Sequence, residues 1–292
     1  MKRLAAREIL LADGAMGTML ISEGIDSGDC MERINLTGPE VPEDIARRYF
    51  EAGADIVHTN TFGGSPLKLR TCGLDDQTEA VNREAVLAVR RAIGREAYLA
   101  VSCGPTGRML KPYGDTDPEE MFTGFKRQLA AVVDLEVDLI TVETMMDINE
   151  ARLALKAAKD VSANIPVAVT MTFDRTERGF FTIMGADIRT VATELTKAGA
   201  DIVGSNCGNG IEAMVEVAAE FRKYTKRPVL IQANAGLPMT EDGRIIYPET
   251  PEFMAAQAEK LVSLGVAIIG GCCGTTAEHI AAMRKMLDSH RA

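Results

Sequence analysis

The stretches AGADIVHTNTF (residues 52–62) and AGADIVGSNCG (198–208) are nearly one string used twice. In each, a helix-like segment stops at a glycine and a short β-branched run follows. LEVDLITVETM (135–145) and LGVAIIGGCCG (264–274) fit the same template. ILLADGAMGT (9–18), EAYLAVSCGP (96–105), IPVAVTMTF (165–173) and RPVLIQANAG (227–236) supply four more runs of strand length. Each is bounded by Gly, Pro or Asp and leads into a polar or glycine-rich turn. The runs are near-continuous in Val, Ile and Leu, as parallel strands covered on both faces should be. The segments between them, such as PEDIARRYFEAGA and NEARLALKAAKDV, carry apolar residues at helical spacing, with glycine where a helix should stop. Eight such βα units in 292 residues predict an α/β fold, one single-domain (β/α)8 TIM barrel over residues 1–292. A doubly wound open sheet is the alternative. No G-x-G-x-x-G follows the first run, which weakens its dinucleotide-binding version. Residues 65–76 and 108–122 read as long loops after the second and third strands, of the kind that shape a site's mouth.

The chain is 46% hydrophobic and 25% charged, enough for a sizeable core. Its net charge of -10 and lack of a basic run argue against a nucleic-acid partner. No stretch approaches the ~18 apolar residues of a membrane span. The first apolar stretch is broken by Arg7, Glu8 and Asp13, so no signal peptide is expected. A cytoplasmic protein is expected. Its six cysteines should then be reduced and free to ligate a metal or to pack.

In a barrel of this kind, chemistry sits at the C-terminal ends of the strands. Those ends carry Asp13, Asn60 and Thr61, Cys103, Glu143, Asn206 and Cys207, Asn234, and Cys272 and Cys273. The sixth and eighth strands stand one strand apart, roughly 9–10 Å between axes. Thiolates from both can share one ion at the ~2.3 Å Zn–S distance. Adjacent cysteines on an extended strand would point to opposite faces. Gly270, Gly271 and Gly274 let the backbone turn so that both sulfurs face one ion. Three thiolates select a soft or borderline metal, zinc first, and leave one coordination position open. The same spacing also fits three inert core thiols. Cys30, Cys72 and Cys103 read as structural. His58, flanked by apolar residues, reads as a satisfied core or barrel residue rather than a ligand, and His279 and His290 carry no assignment. Met145, Met146, Met283 and Met286 read as packing.

DGAMGT, HTNTFGG, SCGPTG, VET, SNCG and GGCCGT occur together and in this order. With them the chain resembles the zinc-dependent homocysteine S-methyltransferase family, above all the N-terminal homocysteine-binding module of cobalamin-dependent methionine synthases. The resemblance covers about residues 10 to 280. It implies a (β/α)8 barrel, zinc on Cys207, Cys272 and Cys273, and L-homocysteine as the thiol that joins them. It also implies a substrate amino acid end held near the first and fourth strands, where Asp13, Gly14 and Glu143 stand. Glu143 is expected to meet the substrate ammonium. Asn60 and Asn206 have amides suited to the substrate carboxylate or to tying loops. The Asn234 side-chain oxygen could fill the open metal position before substrate arrives, or fix a loop.

The methyl donor is left open by the residues. One barrel uses the whole sequence, with no room for a corrinoid module. A methyl-corrinoid (methylcobalamin) on a separate domain or protein is the expected donor. S-methylmethionine or betaine is the alternative. With no Trp, five Tyr and nine Phe, the chain is poorly supplied for an aromatic cage around a quaternary ammonium. A zinc and thiol-binding barrel without turnover, and a metal-free lyase using Asp13 and Glu143, are the readings from other classes.

Overall fold

Each of the eight runs forms a strand. In the computed structural model, which describes residues 2–290 except 27, 29, 242 and 243, they are β1 (Leu10–Leu11), β2 (Ile56–His58), β3 (Tyr98–Cys103), β4 (Leu139–Met145), β5 (Val167–Met171), β6 (Ile202–Gly210), β7 (Val229–Asn234) and β8 (Ile268–Gly271). All pair in parallel, in the order β1-β8-β7-β6-β5-β4-β3-β2. A parallel bridge from Ala12 to Ile56 joins β1 to β2 and closes the ring. One long helix follows each strand: α1 (Glu40–Glu51), α2 (Thr78–Ile93), α3 (Pro118–Ala130), α4 (Ile148–Val161), α5 (Ile188–Lys197), α6 (Ile211–Tyr224), α7 (Pro251–Ser263) and α8 (Ala277–Ser289). The TIM barrel is therefore the observed fold, and the open-sheet alternative falls.

The unbroken apolar character of the strands has a direct cause. Leu10, Ile56, Ala100, Leu139, Ala168, Ile202, Leu230 and Ile268 point inward, one from each strand, and fill the lower barrel as one cluster. Their neighbours Leu11, Val57, Leu99, Ile140, Val167, Val203, Val229 and Ile269 join the separate cluster beneath the helices. Both faces are dry, so neither alternates with polar residues.

The repeated Gly-Ala-Asp is also explained. Gly53 and Gly199 both adopt φ +97°, ending α1 and α5 in a backbone region that suits glycine. The aspartate there, like Asp138 in the matching Glu-Val-Asp, ties strand to strand at the barrel's base. Asp55 accepts the Leu11 amide at 2.9 Å, Asp138 the Leu99 amide at 3.0 Å and Asp201 the Val167 amide at 2.8 Å. Each also meets a basic side chain: Arg284, Arg90 and Lys159 respectively.

Two expectations need correction. Residues 108–122 are not all loop: Pro118 at the first helical turn starts α3, with Asp117 before it in extended conformation. Residues 65–76 are largely folded, into a short helix Pro66–Leu69 and two 3-10 turns. Two hairpins went unread, Asp174–Thr176 with Gly179–Phe181 after β5, and Met239–Glu241 with Arg244–Ile246 after β7.

Gly204 of β6 pairs with Leu230 of β7, and a Cβ there would lie 1.8 Å from the Leu230 carbonyl oxygen. Backbone cannot swing aside as a side chain can. Gly204→Ala is expected to cost about 1–3 kcal/mol, lowering the thermal midpoint of the purified protein by several degrees. A midpoint equal to wild type would contradict this.

Candidate metal centre

β6 loses its regular ladder between Asn206 and Gly210. Cys207 there sits at φ +62° and Gly208 at φ +76°. A non-glycine residue in this region costs about 1–2 kcal/mol, and the turn swings the Cys207 sulfur into the barrel mouth. On β8 the ladder runs on to Cys272, whose amide donates to Ala233 O at 2.7 Å. The chain then turns, Thr275 N and Oγ1 both donating to Cys272 O, with Gly274 at φ +79°. This turn brings two adjacent cysteines to one side.

The three sulfurs of Cys207, Cys272 and Cys273 lie within 4.8 Å of one another, with Cys207 and Cys273 at 3.8 Å. A tetrahedral ion with ~2.3 Å bonds to sulfur holds its ligands about 3.8 Å apart, so spacing and donor chemistry both fit zinc. Thiol hydrogen bonds from Cys272, then from Cys273, hold the Cys207 thiol down to about 3. The same bonds push Cys272 well above its ordinary range and Cys273 up to about 11.

Around them lies a cavity of about 730 Å³, lined among others by Asp13, His58, Ser102, Glu143, Cys207 and Cys272. Glu143 accepts a short hydrogen bond from Ser102 Oγ. Burial raises its carboxyl, against the opposing pull of His58 and Ser102. Asn206 is oriented by its own oxygen, which accepts Thr170 Oγ1 at 2.6 Å and the Thr144 amide at 2.8 Å. Its NH2 group is thereby turned toward Thr144 Oγ1, Glu143 and Cys272 Sγ. Asn234 Oδ1 accepts the Cys273 amide at 3.1 Å, and its side chain also bonds the Cys207 sulfur. A carbonyl oxygen has a second lone pair, so the loop-tying bond leaves one for an ion.

Asp13, Asn60 and Gly14 have partners within the protein. Asp13, 2% exposed, accepts from His58 twice, at its backbone N–H and at ring Nδ1, both at 2.7 Å. Both oxygens of the candidate substrate acid are therefore engaged. The Asn60 amide donates to Met31 O and Asn35 Oδ1, tying loops at the cavity wall. Gly14 is required by packing: a Cβ would lie 2.6 Å from Thr275 Oγ1 and 2.8 Å from Tyr49. His58 is the satisfied barrel residue that the sequence suggested: it is buried, with Nε2 3.1 Å from Thr141 Oγ1, and it also lines the cavity. Its flanks are apolar because Ile56 and Val57 belong to the two core layers. Met146 is a correction to the packing reading: it is 40% exposed, whereas Met145, Met283 and Met286 are buried. His279, left unassigned, closes a capping box at the start of α8.

Cys103 lies outside the site, 3.5 Å from Gln128 Oε1 and fully buried. Cys30 and Cys72 meet at the rim, packed on Leu69, Leu74 and Val81. Glu32 was missed. It is buried, lines the cavity and accepts the Gly63 amide at 2.6 Å. It sits amid MERIN, with no signal that would separate it from a surface acid.

Burial opposes charge on His58, but the Asp13 carboxylate, by charge and hydrogen bond, and Glu143 more than offset it, and the ring titrates above 6.5. The pair therefore contributes stability that is complete below the ordinary His value and is lost as pH rises through the raised one. In Asp13→Asn the burial effect remains and much of the offset goes. The His58 titration followed by NMR should move down relative to wild type; an unchanged or higher value would contradict the assignment.

The chain matches the family model for homocysteine S-methyltransferase over residues 10–287. It is 32% identical to methionine synthase of Mycobacterium leprae and 31% identical to that of Mycobacterium tuberculosis, over 94% of this chain in each case. It spans only 24% of those proteins' length. Among solved structures it resembles the homocysteine methyltransferase MmuM from Escherichia coli. The TM-score is 0.80 for the metallated form and 0.75 for the apo form, at 22% identity and 97% coverage of this chain. That likeness, over 98% and 97% of the two solved chains, supports the same fold. The family match takes in every strand of the barrel and all three clustered cysteines, and the chain belongs to the homocysteine S-methyltransferase family.

Proposed function

We propose that this barrel, acting as one domain, activates the thiol of L-homocysteine at a zinc centre and presents it to a methyl-corrinoid, forming methionine. The observation that carries the reading is the cluster of three cysteine sulfurs, at tetrahedral spacing, opening into a cavity with a buried carboxylate. Cys207, Cys272 and Cys273 would hold the ion, with Asn234 Oδ1 available as a further ligand before the thiol enters. When bound, zinc supplies the Lewis acidity that turns a thiol of ordinary pKa near 8.5 into a thiolate at neutral pH.

The remaining work falls to the chain. Glu143, steadied by Ser102, offers its carboxylate to the substrate ammonium. The Gly14 turn, clasped by Thr275 and Tyr49, lets the loop after β1 close over the amino acid end. Asp13 and His58 form the floor beside Glu143 and set its charge environment. Together they fix the substrate sulfur so that attack on a methyl carbon is in line. With zinc bound, the thiolates of Cys207, Cys272 and Cys273 would leave the centre anionic and so preserve electron density on the substrate sulfur.

The corrinoid reading is supported by the methionine synthase relatives, of which this chain matches one part. Phe62 is the only Phe, Tyr or Trp among the described cavity-lining residues, a poor basis for a cage around a quaternary ammonium. S-methylmethionine remains the second donor to test. A cytoplasmic setting, with thiols reduced, belongs to the same proposal; among the described residues no helix is long and apolar enough to cross a membrane.

The test is methionine formation by the purified, zinc-loaded protein from L-homocysteine and methylcobalamin, S-methylmethionine or betaine. Methylcobalamin is expected to be the best donor. Cys272→Ser should lose at least about 100-fold in rate, beyond the usual effect of removing a supporting partner, and should lose bound zinc in step. Full turnover after chelation would contradict the reading. Zinc and thiol binding without methionine from any donor would instead support a non-catalytic barrel.

A further inference from the structure

Gln232 stands on β7, between the two strands that carry the cysteines. It is 4% exposed and lines the cavity together with Glu143, Cys207, Cys272 and Cys273. Its Oε1 is buried and has no hydrogen-bond partner among the described residues. Buried side-chain acceptors in folded proteins nearly always have a donor, so an orphan that borders a cavity points to a group that arrives with the ligand. We infer that Gln232 is a specificity residue for the thiol substrate, its Oε1 accepting one N–H of the substrate ammonium beside Glu143. The inference rests on the homocysteine reading above.

The placement follows from the strand period. Gln232 lies two residues beyond Leu230 of the apolar plug, so its side chain enters the barrel. Its register partners are Asn206 on β6 and Gly270 on β8. Nε2 donates to Gly271 O at 3.3 Å, one residue before Cys272. A carbonyl can only accept, so this bond assigns the NH2 end of the amide and leaves the oxygen for another partner. Asn234, the next inward residue of β7, accepts the Cys273 amide at 3.1 Å. The two amides of β7 thus bracket Cys272 from one side, and only Gln232 keeps an acceptor with nothing on it.

The ligand group follows from what each side can donate. Oε1 accepts and cannot donate. Homocysteine held as a thiolate has a carboxylate, which only accepts, and an ammonium, which is its sole donor. The three N–H bonds of an ammonium diverge, so the Glu143 carboxylate leaves room for a further acceptor. Asn206 Nδ2 lies 3.4 Å from Glu143 Oε2 and 3.8 Å from Cys272 Sγ. One atom therefore touches both ends of the path along which the substrate's short carbon chain would run from sulfur to nitrogen. Gln232, paired with Asn206 across the strands, stands beside that path. A neutral oxygen there adds a directed hydrogen bond without setting a second carboxylate next to the cysteine thiolates.

Gln232→Met keeps the length of the side chain and removes both ends of the amide. Zinc-loaded wild type and variant are titrated by calorimetry with L-homocysteine and with γ-mercaptobutyrate, the same thiol acid without the ammonium. A hydrogen bond to a charged group predicts that the variant binds homocysteine at least about tenfold more weakly, while γ-mercaptobutyrate changes by less than about twofold. Equal weakening of both thiols would mean that Gln232 acts only through Gly271, as a structural tie, and would overturn the inference. Unchanged homocysteine affinity would mean that water satisfies Oε1, and would overturn it too. Wild type alone supplies a second reading, which decides the matter if the variant fails to fold or to take up zinc. In NMR spectra the Gln232 side-chain amide signals should move on adding homocysteine and stay in place with γ-mercaptobutyrate; the same response to both thiols, or to neither, contradicts the inference. A zinc-loaded wild type that binds neither thiol ends the functional reading, and this inference with it.

Discussion

Ile56, Leu139, Ile202, Leu230 and Ile268 fill the lower barrel, and through the two-residue period of a strand they decide what faces inward above them. Counting upward by twos leads from Ile56 to His58 and from Leu139 through Thr141 to Glu143. It leads from Ile202 through Gly204 to Asn206, and from Ile268 through Gly270 to Cys272. The apolar plug is thus also the register mark of the site. A slip of one residue would turn all of these groups outward beneath the helices. Asp55 and Asp201 of the repeated Gly-Ala-Asp, with Asp138 of the matching Glu-Val-Asp, bond Leu11, Val167 and Leu99 and secure that register at the base.

Chemistry appears where the regular period is abandoned. Thr144 at φ +57° and Cys207 at φ +62° interrupt β4 and β6 at their upper ends. β8 stops pairing at Cys272 and enters a tight turn. Without these departures the three sulfurs would not converge, and Cys272 and Cys273 would point to opposite faces. The strain is held by the strands beneath and by hydrogen bonds in which Thr275 Oγ1 donates to Cys272 O while Asn206 Oδ1 and Asn234 Oδ1 accept the Thr144 and Cys273 amides. Rigid strands thus support a mouth made of irregular backbone, which is where strain is usually stored for function.

The barrel was legible because its strands are covered on both faces and leave unbroken runs of Val, Ile and Leu. The cysteine cluster was legible in part: strand ends brought the three thiols together, spacing alone fitted a metal or inert packing equally, and the family resemblance pointed to the metal. Roles that depend on a partner's position were not legible. The Asp13 carboxylate looks free in the sequence, yet both its oxygens serve His58. His58 looks like core because its flanks are core. Glu32 reaches the site from a loop whose path no periodicity encodes. Asn60 illustrates the opposite case: a strand-end amide whose donors are spent on neighbouring loops.

Zinc K-edge X-ray absorption on the purified protein, with and without L-homocysteine, addresses the centre most directly. An open, thiol-activating site should change from three sulfurs and one lighter ligand to four sulfurs when homocysteine is added. A first shell that ignores homocysteine, or a protein that takes up no zinc, would mean that Cys207, Cys272 and Cys273 have a structural role and that thiol activation occurs elsewhere.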